Sequence, residues 1–141
     1  MGNSITPAEW QVMRVAWTLG HVTSTEMIDI LQCKVAWKPA TIKTLLRRLV
    51  QKGALKTTRV GRAFVYEPQV EEQPTMNQAA DELFDNLCEM HVGKTLLHVI
   101  EKATLSQSDI NQLQDLLAKK AATAPAEVPC NCVPGMRCEE D

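Results

Sequence analysis

Residues 38–53, which read KPATIKTLLRRLVQKG, say most about how the chain folds. Pro39 suits the first position of a helix, and Gly53 suits the position just after its end. Between them, apolar side chains recur at the 3.6-residue spacing of an amphipathic helix, at Ile42, Leu45, Leu46, Leu49 and Val50. The sequence therefore predicts a helix over residues 39–53 that buries one face.

The opposite face of this helix is small, hydroxylated and cationic, and no carboxylate occurs between Lys34 and Val65. Such a face can lie in the major groove of DNA, where cations reach phosphates or guanine edges and threonine methyls touch thymine. A merely solvated face is the other interpretation. The predicted DNA contacts on this helix are Lys38, Ala40, Thr41, Lys43, Thr44 and Arg47. Lys38 lacks a capping hydroxyl, but its charge suits a phosphate.

A β-hairpin is predicted next, from β-prone runs at residues 54–58 and 63–66. Gly61 in the connection can take a positive φ, and Arg59 and Arg62 at the tip would form a second phosphate contact. Upstream, TPAE at residues 6–9 and TSTE at residues 23–26 are capping-box signatures that open two further helices. Three helices followed by a basic hairpin predict a mainly α fold with a small β-hairpin wing, the winged helix-turn-helix.

Three more short helices are predicted after Pro68. The first is capped by Thr75 with Gln78 and reaches residue 88, the second covers residues 92–102, and the third is capped by Ser106 with Asp109. Three short helices bury little surface by themselves, and we therefore expect their apolar faces to meet across the two-fold axis of a homodimer. The predicted organisation is a DNA-binding domain (residues 1–70), a helical dimerisation domain (71–120) and a flexible linker with a cysteine tail (121–141).

The charge of the chain is divided unevenly. Residues 1–68 hold ten Lys/Arg and four Asp/Glu, a net of +6, whereas residues 69–141 hold five and thirteen, a net of −8. A basic first half favours a polyanionic partner such as double-stranded DNA. No apolar run approaches the roughly 18 residues that span a bilayer, and no signal peptide is evident, so we expect a cytoplasmic protein with no membrane partner. Without a nucleophile–base pair, paired carboxylates or a phosphate-binding glycine loop, we predict that the protein is not an enzyme.

The tail carries the candidate metal ligands Cys130, Cys132 and Cys138. Soft thiolates select Cu(I) and Zn(II), and three of them satisfy Cu(I) but leave zinc one ligand short of a tetrahedral site. The fourth ligand stays open: one of the last three residues, a water or a cysteine of the partner chain. Unstructured free thiols and a disulfide switch are the alternatives. Cys33 and Cys88 are predicted to be small core residues, and the three histidines show no metal-ligand spacing.

The sequence resembles the penicillinase-repressor group of winged-helix regulators, and within it the copper-operon branch, the CopY-type repressors. The resemblance covers residues 5 to about 120 and is strongest in the first 68. The matching segments are AEWQVMRV (residues 8–15) with Trp17, TSTE (23–26), TIKTLLRRLV (41–50) with KGAL (52–55), and GRAFVY (61–66). The cysteine tail distinguishes the copper branch from the β-lactam branch. The family tail usually has two Cys-x-Cys pairs four residues apart, whereas here the spacing is five and the second pair is reduced to Cys138-Glu139.

This resemblance implies a homodimer that binds an inverted-repeat operator before copper-homeostasis genes, represses while it holds Zn(II), and is released when Cu(I) displaces the zinc. It implies that residues 39–52 form the recognition helix, that residues 59–62 form the wing, and that a copper chaperone is a candidate metal donor. Two rival functions remain open: a β-lactam-type repressor inactivated by proteolysis, and a copper or zinc carrier protein.

Overall fold

The computed structural model describes residues 4–134, and internal contacts divide the chain into two units, one through Asp81 and one from Glu82. The predicted division into three segments at residues 70 and 120 stays a prediction. Cys138 lies outside the described residues.

Three helices open the first unit: α1 (Pro7–Leu19), α2 (Ser24–Gln32) and α3 (Pro39–Gln51). Both predicted capping boxes are confirmed. In the first, Glu9 N–H donates to Thr6 Oγ1 at 3.2 Å and Thr6 N–H donates to Glu9 Oε1 at 2.9 Å. These reciprocal bonds satisfy amide groups that the first turn of a helix leaves unpaired, and so they fix where each helix begins.

The sheet has three antiparallel strands in the order β1-β3-β2, with β1 at Val22–Thr23, β2 at Leu55–Val60 and β3 at Ala63–Pro68. The predicted hairpin is confirmed, but its strands are longer than expected, so Arg59 lies inside β2 and pairs with Phe64. Gly61 turns the chain with φ 63°. Strand β1 was not predicted because two residues carry no periodicity; it pairs through Val22 with Tyr66.

The core of the first unit lies where the three helices meet the start of β2. On α3 the predicted side chains Ile42, Leu45, Leu46 and Leu49 are buried. The other buried side chains of this core are Val12, Met13, Val15, Ala16, Val22, Met27, Leu31, Ala54 and Leu55. This architecture is the predicted winged helix-turn-helix, mainly helical with a small antiparallel sheet.

The remaining helices are α4 (Glu72–Asp85), α5 (Val92–Lys102) and α6 (Gln107–Ala121), with a single 3-10 turn at Glu89–His91 before α5. The predicted bounds of α5 and the Ser106 cap of α6 are confirmed. The predicted start of α4 is wrong: Thr75 as cap would place the first helical residue at position 76, whereas the helix begins at Glu72, four residues earlier. The Thr75 hydroxyl donates to Glu71 O at 2.6 Å from inside the helix. Pro74 is tolerated there because first-turn amides have no partner within the helix.

None of the described side chains of α4, α5 or α6 is buried. Large apolar side chains instead form an exposed set that we call the helical apolar surface: Leu83, Leu96, Leu97, Val99, Ile100, Ile110, Leu116 and Leu117. Leaving this much apolar area in water is unfavourable, so these side chains are candidates for burial against a partner. Within residues 4–134, no helix has the length and apolar character needed to cross a membrane.

Candidate functional site

Helix α3 divides its side chains between the core and solvent. Ile42, Leu46 and Leu49 are fully buried, which orients the opposite face outward. The predicted DNA contacts on that face are exposed except Thr44, which is half-buried and donates its hydroxyl to Ala40 O at 2.9 Å. Lys38 is the amino-terminal cap and makes no capping hydrogen bond with its side chain. The exposed face therefore presents cations and small side chains, as a groove-binding helix requires.

Lys52 holds α3 in place from the protein side. Its ammonium donates to Glu9 Oε1 at 2.6 Å and to Ser4 O at 2.8 Å. Glu9 is fully buried, and burial raises the pKa of its carboxyl, but hydrogen bonds from Lys52 and Thr6 outweigh burial and leave that pKa below the ordinary value. The other carboxylate oxygen, Oε2, is buried without a hydrogen-bond partner. Lys52, a flanking cation of the predicted DNA-binding face, is thus a structural residue.

The wing presents two arginines in different settings. Arg59 donates from Nε to Gly61 O at 3.2 Å, and its guanidinium carbon lies 5.8 Å from the centroid of the Phe64 ring. A cation over an aromatic face is attracted by the ring quadrupole, so Arg59 is held along the hairpin. Arg62 is exposed in the turn. Both side chains are exposed, and their contact with a phosphate backbone stays a prediction.

A cluster of three sulfurs lies in the second unit, formed by Cys88, Cys130 and Cys132, and we call it the thiol cluster. All three Sγ atoms lie within 4.8 Å of one another, and the Cys88 and Cys130 sulfurs are 3.6 Å apart. Cys88 and Cys130 are half-buried, whereas Cys132 is exposed. The structure thus brings two predicted tail ligands together with a cysteine that the sequence did not assign to the site.

The thiol cluster joins the end of α4 to the chain that follows α6. Hydrogen bonds from Asn86 N to Leu83 O and from Leu87 N to Phe84 O extend the last turn of α4 up to Leu87, the neighbour of Cys88. From the other side, Asn131 Oδ1 accepts the Glu89 amide at 3.0 Å. Side chains of the predicted cysteine tail therefore contact residues 88 and 89, whereas residues 121–129, the predicted linker, are all exposed.

The surroundings of Cys88 and Cys132 shift the pKa values of the two thiols in opposite directions. The pKa of Cys88 is lowered because the Cys132 thiol and the backbone amides of Met90, Asn131 and His91 hydrogen-bond to its sulfur, which outweighs burial. The pKa of Cys132 is raised by its bond to Cys88, by burial and by the charge on Cys88. Cys88 is therefore the more readily ionised thiol of the two, and a thiolate is the form that ligates a metal.

The prediction that Cys33 and Cys88 are core residues is wrong for both. Cys33 is exposed and its thiol donates to Asp29 O at 3.3 Å. Cys88 belongs to the thiol cluster; it stands 42 residues before Cys130, too far for any local ligand motif. Cys33, Cys88 and Cys132 are present as thiols, whereas Cys130 is disulfide-bonded. Cys130 can therefore ligate a metal only after reduction.

The donor set of the thiol cluster fits a soft cation. Two sulfurs bound to one zinc at about 2.3 Å in tetrahedral geometry stand about 3.8 Å apart, close to the 3.6 Å between Cys88 and Cys130. Thiolates favour Cu(I) and Zn(II) over hard cations. Cys88, Cys130 and Cys132 are thus spaced and composed as ligands of either ion.

Comparison with known proteins gave a family match and several similar chains. A family model described as penicillinase repressor matches residues 5–119. An uncharacterized 16.5 kDa protein of the ptsI 3′ region of Latilactobacillus sakei is 51% identical over 140 residues, 99% of this chain and 96% of that protein. The penicillinase repressor of Bacillus licheniformis is 33% identical over 113 residues, 80% of this chain and 88% of that protein. A solved CopR repressor structure is 45% identical and covers 48% of this chain and 97% of that chain, with a TM-score of 0.42. The family match ends before Cys130.

Proposed function

The chain belongs to the penicillinase repressor family of operator-binding transcriptional repressors, and we propose that it is a copper-responsive member whose cysteines control release from DNA. The observation that carries this proposal is the thiol cluster, in which three Sγ atoms lie within 4.8 Å. Two of the three cysteines lie beyond the part of the chain that the family model matches. A sensing function added to the shared repressor fold accounts for both facts.

Operator recognition is assigned to the exposed face of α3. Lys43 and Arg47 reach base edges or phosphates, and Thr41 contacts bases through its methyl group. Arg59 and Arg62 of the wing bind the phosphate backbone on the flank of the site. The support is the exposure of these side chains and the net charge of +6 over residues 1–68. Phosphate contacts supply most of the affinity, and the α3 contacts supply the choice of sequence.

The repressor acts as a homodimer that pairs through the helical apolar surface. Fully burying one leucine contributes about 1.5 to 3 kcal/mol, and each residue of a two-fold interface contributes twice. Leu83, Leu97 and Leu117 are each more than half exposed within one chain. A second copy of the chain would bury these side chains, which the single chain leaves exposed. The two recognition helices would then be related by two-fold symmetry, as reading an inverted repeat requires.

Cys130, Cys132 and Cys138 hold the sensed ion, with Zn(II) in the repressing state and Cu(I) as the signal. When bound, the ion neutralises thiolate charge and cross-links the sulfurs. The chain responds only if the liganded segment docks differently in the two states, because a ligand shifts an equilibrium only by its differential affinity. Zn(II) takes four ligands whereas Cu(I) is satisfied by two or three, so the number of cysteines engaged differs between the states.

The proposal is tested by operator binding in the presence of Cu(I). The probe is an inverted-repeat duplex selected by this protein from random DNA, and the variants are Cys132→Ser and Cys138→Ser. Both variants should bind the duplex as the wild type does, because neither cysteine lies in the first unit. Both should stay bound at copper concentrations that release the wild type.

The matched control is Cys33→Ser, which removes an exposed thiol outside the thiol cluster and should leave copper release unchanged. Release of Cys132→Ser and Cys138→Ser at the wild-type copper concentration would contradict the proposal. A wild-type chain that keeps its operator at every copper concentration would instead fit a repressor of the β-lactam type.

A further inference from the structure

We propose that Cys88 is itself a ligand of the sensed ion, so that metal binding fastens the carboxyl-terminal segment to the end of α4 in the same chain. The inference rests on the proposed function and extends it. It adds a sulfur that stands 42 residues before the first tail cysteine, and it fills the fourth place that Cys130, Cys132 and Cys138 leave open on a tetrahedral ion.

The geometry of Cys88 is that of a ligand already in position. Its sulfur lies 3.6 Å from Cys130 Sγ, near the separation of two sulfurs that share one ion, and within 4.8 Å of Cys132 Sγ. The Glu89 amide bonds Asn131 Oδ1 at 3.0 Å, and the Cys132 amide bonds Cys130 Sγ at 3.4 Å. These contacts hold Cys88 and the two tail cysteines together by interactions other than those between the sulfurs.

Cys88 connects the ion to a helix that begins in the DNA-binding unit. Helix α4 runs without interruption from Glu72 to Asp85, and its last turn is hydrogen-bonded up to Leu87, the neighbour of Cys88. Just before its first residue, Val70 O accepts a 2.9 Å hydrogen bond from Trp17 Nε1 on α1. A tail that bound the ion through its own cysteines alone would not connect the ion to α4. With Cys88 as a ligand, a change in coordination acts directly on the end of α4.

Ligation at this site requires reduced sulfurs. The disulfide at Cys130 is opened by a thiol reductant, which supplies two electrons and two protons and is itself oxidised to a disulfide. Each cysteine that then binds the ion gives up its thiol proton to water. The experiments therefore use full-length protein kept reduced and free of oxygen.

Cysteine alkylation tests the inference without changing the sequence. Wild-type protein is treated with iodoacetamide in the presence of Cu(I), Zn(II) or a chelator, and labelling of each cysteine is followed by mass spectrometry. Because the free thiolate is the nucleophile, a metal-bound sulfur does not react. Saturating Zn(II), which takes four ligands, should stop labelling at Cys88, Cys130 and Cys132, while the exposed Cys33 is labelled at an unchanged rate.

The variant Cys88→Ser tests the same point through affinity. Losing the fourth ligand should weaken Zn(II) binding, measured by competition with a chromogenic chelator, by at least about tenfold. It should also reduce the thiolate-to-metal charge-transfer absorbance of the Co(II)-substituted protein. The control, Cys33→Ser, should match the wild type in both measurements, and retained operator binding would show that each variant is folded.

The outcomes separate the inference from the proposed function. If Cys88 is alkylated at full rate in Zn(II)-saturated protein, or if Cys88→Ser binds Zn(II) as the wild type does, the inference is wrong while copper sensing by the tail stands. If the reduced wild-type chain binds no Cu(I), the proposed function and the inference are both wrong.

Discussion

Lys52 and Glu9 form an ion pair at 2.6 Å that joins the carboxyl-terminal cap of α3 to the first turn of α1. The Glu9 side chain is fully buried and that of Lys52 is 20% exposed. The pair fixes α3 from its inner side, so under the proposed function operator recognition by this helix depends on a contact inside the protein.

The variant Lys52→Ala should destabilise the first unit because it leaves the Glu9 carboxylate buried without its partner. Breaking a buried pair costs about 3 to 5 kcal/mol, and the partial exposure of Lys52 lowers the expected loss to about 2 to 3 kcal/mol. Urea unfolding followed by tryptophan fluorescence measures it, since Trp10, Trp17 and Trp37 all lie in this unit. Lys34→Ala, at an exposed lysine, is the control, and an equal loss there would contradict the role of the pair.

Glu9 should make stability depend on pH in the acidic range. Its pKa in the folded chain is below the ordinary value of 4.5, so its contribution is complete above that value and is lost as pH falls through the lowered pKa. The advantage of the wild type over Glu9→Gln should therefore be largest near neutral pH and shrink below pH 4.5. An advantage of the wild type over Glu9→Gln that does not change with pH would be inconsistent with the ion pair.

The variants Lys43→Ala and Arg47→Ala should weaken operator binding. A bidentate contact to a base discriminates by about 1 to 3 kcal/mol, and loss of a phosphate contact lowers the slope of log affinity against log salt by about one. Fluorescence anisotropy at several salt concentrations distinguishes the two roles. Lys102→Ala, at the end of α5, should bind as the wild type does. Full affinity in both α3 variants would move recognition away from this helix.

The variant Leu97→Asp should dissociate the homodimer because it places a charge on the helical apolar surface. Leu97 is 67% exposed within one chain. In a two-fold dimer the substitution removes a buried leucine from both protomers. Sedimentation equilibrium should report a monomer. Val60→Asp is a matched control, since Val60 is 61% exposed but belongs to the wing, and its dimer should persist. A dimeric Leu97→Asp protein would place the interface elsewhere.

The first unit could be predicted closely because its signals are local. The capping boxes at Thr6 and Thr23, the apolar period of α3 and the turn at Gly61 each act within a few residues. Strand β1 and the Lys52–Glu9 pair could not be predicted, since both depend on partners more than forty residues away. Cys88 was misassigned for the same reason, since its partner in the thiol cluster, Cys130, lies 42 residues further along the chain.

Operator binding by the full chain and by a chain ending at Ala124, titrated with Cu(I) under reducing conditions, tests the central claim most directly. We expect Cu(I) to weaken operator binding by the full chain by about 5- to 150-fold, the range of coupling between two ligand sites. The shortened chain should bind the operator with the same affinity at every copper concentration. Equal loss of operator binding by both chains would contradict control by the cysteine cluster.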